Sequence, residues 1–199
     1  MTVPPQFDPD YIYDQLSRLS SIHAVAFAAS CCERMLPNYR RFQDQVGWGD
    51  TILLRTALDQ AWQVVSAGNI PREYLRSLVE QCDHVTPDTE VFTTSLVSHA
   101  LDASAAISET LELCVDGDLS HALRVATSSR DTVDMYIQKL EDLQPEDSQF
   151  EEKILNHPLM VREWKNQVDT LQALAGHVLP DSEVSKVLHL QFKGMSSID

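Results

Sequence analysis

SIHAVAFAASCCERM, residues 21–35, decides the fold class. Wound at 100° per residue, it carries apolar side chains on nearly every side: Val25, Phe27, Ala28, Cys31, Cys32 and Met35. A surface helix shows one apolar stripe, whereas a helix that is apolar all round belongs at the centre of others. Ser20 or Ser21 can cap its start by accepting a hydrogen bond from a first-turn N–H. His23 and Ser30 interrupt the most apolar part, residues 22–32, and that part is far shorter than the ~20 residues that cross a bilayer.

Working outward, amphipathic helices follow one another. Ile12, Leu16 and Leu19 stand at helical spacing in residues 9–19. Pro37 lacks an N–H and is expected to end the central helix, with a short helix over residues 38–45 stopped by Gly47. Gly47-Trp48-Gly49-Asp50 reads as a turn, Asp50 being the cap of the next helix. That helix carries Leu54, Leu58, Ala61 and Val65, and Gly68 or Asn69 ends it. Pro71 suits the opening of a helix with Tyr74, Leu75, Leu78 and Val79 on its stripe, and residues 82–93 read as irregular.

Residues 95–115 place Leu96, Ala100, Ala103, Ile107, Leu111 and Cys114 on one stripe, rich in small residues that let neighbours approach. Asp118 caps a partner helix over residues 118–143, joined by a turn short enough to make the pair an antiparallel hairpin. The acidic stretch EDLQPEDSQFEE, residues 141–152, reads as a solvated connection. Pro158 opens a helix with Met160, Trp164, Val168, Leu171, Leu174 and Val178 inward, Pro180 ends it, and a weaker amphipathic stretch covers residues 183–191. Strand-like alternation appears only around residues 187–192. The expected architecture is all-α: a single-domain bundle of seven to nine helices over residues 1–199, with residues 1–8 and 193–199 loosely ordered at its ends.

The formal net charge is -15, split as -5 over residues 1–100 and -10 over residues 101–199. Such a field repels nucleic acid phosphates and anionic membranes, so neither is expected as a partner. It attracts basic proteins, and it also serves solubility. Cys31, Cys32, Cys82 and Cys114 show no CxxC spacing, and adjacent Cys31 and Cys32 diverge on a helix. Buried reduced thiols in a cytoplasmic protein are the expectation, and the first residues, MTVPPQFDPD, have neither the basic nor the apolar region of a secretory signal.

No pattern for a metal or a cofactor emerges. Glu-x-x-His and HExxH are absent, and the nearest ligand pair is His99 with Asp102. Neither GxGxxG nor GxxxxGK[ST] occurs, and the GWGD turn has no basic side chain for a phosphate. Ser128 and Ser129 lie in mid-helix with no histidine nearby in sequence. What remains is residues 32–62, CERMLPNYRRFQDQVGWGDTILLRTALDQAW. There Glu33, Arg34, Asn38, Tyr39, Trp48, Asp50, Arg55, Asp59 and Trp62 crowd around two helix junctions. One reading makes them a structural junction in which Arg34 or Arg55 pairs with Glu33, Asp50 or Asp59. The other makes them a pocket with aromatic walls.

Cys32-Glu33-Arg34-Met35, Pro37-Asn38-Tyr39, Phe42, Gly49-Asp50, Leu58-Asp59 and Trp62 resemble the YjaG-like family of bacterial proteins, domain of unknown function 416. Asp102-Ala103 with Glu109, and His157-Pro158-Leu159-Met160 with Glu163 and Gln167, extend the resemblance over essentially the whole chain. It implies a small, cytoplasmic, helical protein with no assigned activity and no catalytic residues to carry over. Two functions are therefore weighed. The first is a non-enzymatic protein-interaction module acting through its acidic surface, its partner a basic protein or a second copy of the chain. The alternative is a small-ligand-binding protein or enzyme using the cluster in residues 33–62.

Overall fold

The computed structural model describes residues 3–68, 70–176, 181–192 and 195–198. Among them run nine helices and no strand: α1 (Pro9–Leu16), α2 (Ser21–Val46), α3 (Thr51–Ala67), α4 (Arg72–His84), α5 (Val97–Asp116), α6 (Leu119–Leu140), α7 (Phe150–Asn156), α8 (Pro158–Gly176) and α9 (Asp181–Phe192). The protein is the all-α, single-domain bundle its periodicity predicts.

α2 occupies the centre. Residues 24–36 are buried without interruption, and α2 packs against α3, α5, α6, α8 and α9. The neighbour it meets most extensively is α5, which buries the small side chains Ala100, Ala103 and Ala106 and places Thr110 Oγ1 3.2 Å from Cys32 Sγ. The expected caps hold: Ser20 accepts from the His23 N–H at 3.2 Å, Asp50 from Leu53 at 2.9 Å and Asp118 from Ser120 at 2.9 Å. Where α5 turns into α6, His121 lies between Glu109, 2.5 Å away, and Asp116, 3.2 Å away, pinning the hairpin.

Pro37 does not end the central helix. α2 runs through it to Val46 as one 26-residue helix, where a break and a second short helix were expected. A mid-helix proline costs roughly 3 kcal/mol. Here Tyr39 and Phe42, fully buried on the far side of it, outweigh that cost by anchoring the last turns in the core. One turn before Pro37, the Arg34 carbonyl accepts a bond from the Ser197 N–H at 2.8 Å.

Other boundaries differ modestly. α1 stops at Leu16, the irregular segment begins only after His84, and the acidic stretch gives way to α7 at Phe150. The predicted inward stripe of α8 is buried through Leu174. Asn69, Val178 and Pro180 lie outside the described residues. Some described residues near the two ends make specific contacts. The Pro4 carbonyl accepts a bond from Trp164 Nε1 at 3.0 Å. Ser197 and Ile198 are buried, Ile198 in a second apolar cluster with Val133, Ile137, Leu143, Ile154 and Met160. An isoleucine within reach of an unfilled apolar recess docks rather than trails in water.

Candidate functional site

The polar residues of 33–62 divide into three separate constellations. Glu33 leaves α2 toward α3. Its carboxylate, buried, accepts from Arg55 Nη1 at 2.8 Å, Arg55 Nη2 at 2.9 Å and Trp62 Nε1 at 2.8 Å. Arg55 Nη2 also meets Asp59 at 2.7 Å, one turn along α3. The Arg55 side chain is 23% exposed and that of Asp59 49%, so this network runs from core to solvent. Burial works against the Arg55 charge, but the bonds and charge of Glu33 hold its guanidinium above the ordinary range. Trp62 packs its ring 5.3 Å from that of His189 on α9.

Arg34 turns the opposite way, and its partner is one the sequence reading did not assign. Fully buried, it grips Glu163 of α8 with both ends of its fork, Nε to Oε2 at 3.0 Å and Nη2 to Oε1 at 2.7 Å. Nη1 donates to the Ser30 carbonyl at 2.9 Å, and the guanidinium lies 4.9 Å from the centre of the Phe192 ring. Glu163 also accepts from Ser129 Oγ at 2.7 Å and Gln167 Nε2 at 2.9 Å. Burial alone would raise the Glu163 pKa; the Arg34 charge, with the three donors, holds it below the ordinary value. Four helices, α2, α6, α8 and α9, thus meet on one buried ion pair.

Asn38, Tyr39 and Asp50 form the third constellation. Asn38 exchanges bonds with the C-terminal segment, donating to Ser197 Oγ at 3.0 Å and accepting from Ser196 Oγ at 3.1 Å. The Tyr39 hydroxyl donates to the Val85 carbonyl at 2.6 Å and accepts from the Asp50 N–H at 3.2 Å, tying the α2–α3 turn to the end of α4. Gly49 is required there: it sits at φ +107°, and a Cβ would lie 2.5 Å from the Tyr39 hydroxyl. Trp48, 37% exposed, packs against Phe92 with ring centres 5.1 Å apart and planes tilted by 45°.

Sequence reasoning missed Glu163, Gln167 and Ser129 as members of this arrangement. A signal existed: Glu163 and Gln167 fall on the same stripe as Met160, Trp164 and Leu171, and a polar residue on an inward stripe demands a buried partner. His99 and Asp102, the nearest ligand pair in sequence, are not joined. Asp102 accepts from Thr132 Oγ1 at 2.8 Å, while the buried His99 Nδ1 has no partner. Burial raises the Asp102 pKa to about 6, against the Thr132 bond. Among the described residues no three His, Cys, Asp or Glu side chains gather as a metal site.

The thiols are deeply placed. Cys31, Cys32 and Cys82 are buried and Cys114 partly so, all four free. Burial pushes Cys31 up to about 11, despite Arg34 beside it, and Cys82 and Cys114 to about 12. These are poor nucleophiles at neutral pH. An open groove of about 660 Å³ lies between α2 and α3, lined in part by Glu33, Leu36, Pro37, Arg40, Ile52 and Arg55. Tyr39 and Trp62 do not line it.

Residues 11–198 match the family described as "Protein of unknown function (DUF416)". The chain belongs to the DUF416 family. It is 32% identical over 183 residues to the uncharacterized protein YjaG of Escherichia coli K12, covering 92% of this chain and 91% of that one. An uncharacterized protein of Haemophilus influenzae is 27% identical over 124 residues, covering 61% of this chain and 63% of that one. A crystal structure of a DUF416 family protein from Shewanella baltica OS155 superposes with a TM-score of 0.85 at 26% identity, covering 94% of this chain and 96% of that chain. These DUF416 relatives are bacterial. No helix among the described residues is long and apolar enough to cross a membrane.

Proposed function

We propose that this DUF416 protein is a non-enzymatic interaction module of the bacterial cytoplasm that docks a basic protein through its acidic surface. The observation that carries this reading is the consumption of the polar block by the fold. Glu33 is saturated by Arg55 and Trp62, Arg34 by Glu163, and Asn38 and Tyr39 by backbone and C-terminal partners. These four side chains spend their main hydrogen bonds on the fold, and of the block Trp48, Asp50 and Asp59 are the exposed members. With the thiols buried as well, the chemistry left to the surface is charge.

One acidic part of the surface is the α6–α7 connection with the start of α7, where Glu141, Asp142, Glu146, Glu151 and Glu152 are exposed. Clustered carboxylates steer a basic patch into contact and discriminate against acidic competitors. The small-ligand alternative draws less support, since the charged groups at the inner wall of the α2–α3 groove, Glu33 and Arg55, are already paired with each other.

The test is affinity purification from the source bacterium, with mass spectrometry of captured proteins and small molecules. The wild type should retain a basic protein in a salt-sensitive manner, and the Glu146→Lys/Glu151→Lys/Glu152→Lys variant should lose it. Stoichiometric capture of a small molecule, with no protein lost on charge reversal, would contradict the reading.

A further inference from the structure

The α2–α3 groove is balanced in charge. Its lining holds two arginines (40 and 55) and two carboxylates (Glu33 and Asp44), so it is neutral within a chain of net charge -15. Two copies of a strongly acidic protein repel one another in most orientations, and the repulsion is least where both present a balanced face. The groove also has an apolar floor, made by Leu36 and Pro37. Beside that floor Ile52 stands 81% exposed at the start of α3, the most exposed large apolar side chain among the described residues. On the opposite rim Arg40 and Asp44 lie one turn apart on α2, with Nε and Oδ2 4.0 Å from each other and side chains 75% and 72% exposed.

A knob beside a hole, together with one positive and one negative side chain on the same rim, is the pattern an isologous contact uses: residue i of one copy meets residue j of the other, and j meets i. We propose that the occupant of this groove is a second copy of the chain, related by a two-fold axis. Ile52 of each copy covers the Leu36–Pro37 floor of the other, and Arg40 of each faces Asp44 of the other. The intrahelical Arg40–Asp44 contact is long and solvated, so exchanging it for intermolecular pairs costs little. The acidic α6–α7 edge lies outside this contact, so the dimer would present two such edges. The proposal does not depend on what those edges bind.

Sedimentation velocity of the full-length chain, from micromolar to near-millimolar concentration, tests it. The wild type should show a concentration-dependent monomer–dimer equilibrium, and Ile52→Glu should raise the dissociation constant by about tenfold or more. Arg40→Asp and Asp44→Arg alone should each weaken self-association, because each variant confronts like charges across the axis. Mixing those two variants should give a heterodimer at least as tight as wild type. Both charge changes are on exposed side chains, so they decide the matter even if Ile52→Glu loses helicity by circular dichroism. A wild type that stays monomeric throughout, with or without another protein in the groove, overturns the proposal. So does a dimer indifferent to these substitutions, or a mixture no tighter than its components.

Discussion

Removing the Glu163 carboxylate should be among the most damaging single changes this protein can suffer. Among the described residues, Glu163→Ala leaves the fully buried Arg34 guanidinium only the Ser30 carbonyl and the Cys31 sulfur as acceptors. At a charge separation of about 4 Å and an effective dielectric of about 20, the lost attraction is about 4 kcal/mol. That agrees with the roughly 3–5 kcal/mol observed when one member of a buried pair is removed. A single domain has only about 5–15 kcal/mol of stability to lose, so the change should be plain in equilibrium urea unfolding followed by circular dichroism. The companion Arg34→Met/Glu163→Leu removes both charges and should recover stability to within about 2 kcal/mol of wild type, since a buried pair is often replaceable by apolar packing. The Glu163 pKa is depressed in the fold, so its stabilisation is complete above the ordinary carboxylate range. It is lost as pH falls through the lower folded value. Acid unfolding of Glu163→Gln should therefore be less steep than that of wild type. A loss under about 1 kcal/mol for Glu163→Ala, as for an exposed pair, would refute the reasoning. A double variant as unstable as the single one would do the same.

The other ion pairs should behave differently. Asp59→Asn and Asp59→Ala should each cost under about 1 kcal/mol by urea unfolding, because Asp59 is half exposed and Glu33 keeps Arg55 paired. Asp102 has the reverse linkage of Glu163: raised to about 6 in the fold, it binds a proton there that the unfolded chain has released, so stability falls as pH rises from about 4 to 6. Asp102→Asn should remove that slope and stabilise the protein at pH 8 by on the order of 1–3 kcal/mol, measured by unfolding at both ends of the window. Ile198→Ala should cost about 2 kcal/mol, the low end for a buried isoleucine because the site is near the chain end, as read by thermal unfolding. A thiol reagent should modify Cys31 and Cys32 only as fast as the protein unfolds, and all four cysteines quickly in denaturant.

Local physics made most of the fold legible. All-round apolarity marked α2 as central, and the side chains of Ser20, Asp50 and Asp118 marked helix starts that hydrogen bonds bear out. Pro37 was misread because its cost is local, while its compensation, the burial of Tyr39 and Phe42, is tertiary. The short α7 hid in a stretch whose acidic composition reads as loop. In the candidate site, the Arg55–Glu33 pair across the α2–α3 junction was within reach, both residues lying in one twice-bent segment. Arg34 was assigned to that same junction, yet it points away to Glu163, 129 residues distant in sequence. Nothing in local spacing selects such a partner. The polar interruption of the α8 stripe shows only that one must exist.

On the proposed function, the polar block holds the fold while binding is done by the surface. Partner capture by the Arg34→Met/Glu163→Leu variant, run beside wild type and the charge-reversed α6–α7 edge, tests it most directly. The double variant, folded by circular dichroism, should retain the same basic protein as wild type, and the charge-reversed edge should not. A folded double variant that loses the partner, with the charge-reversed edge still binding it, would contradict the claim.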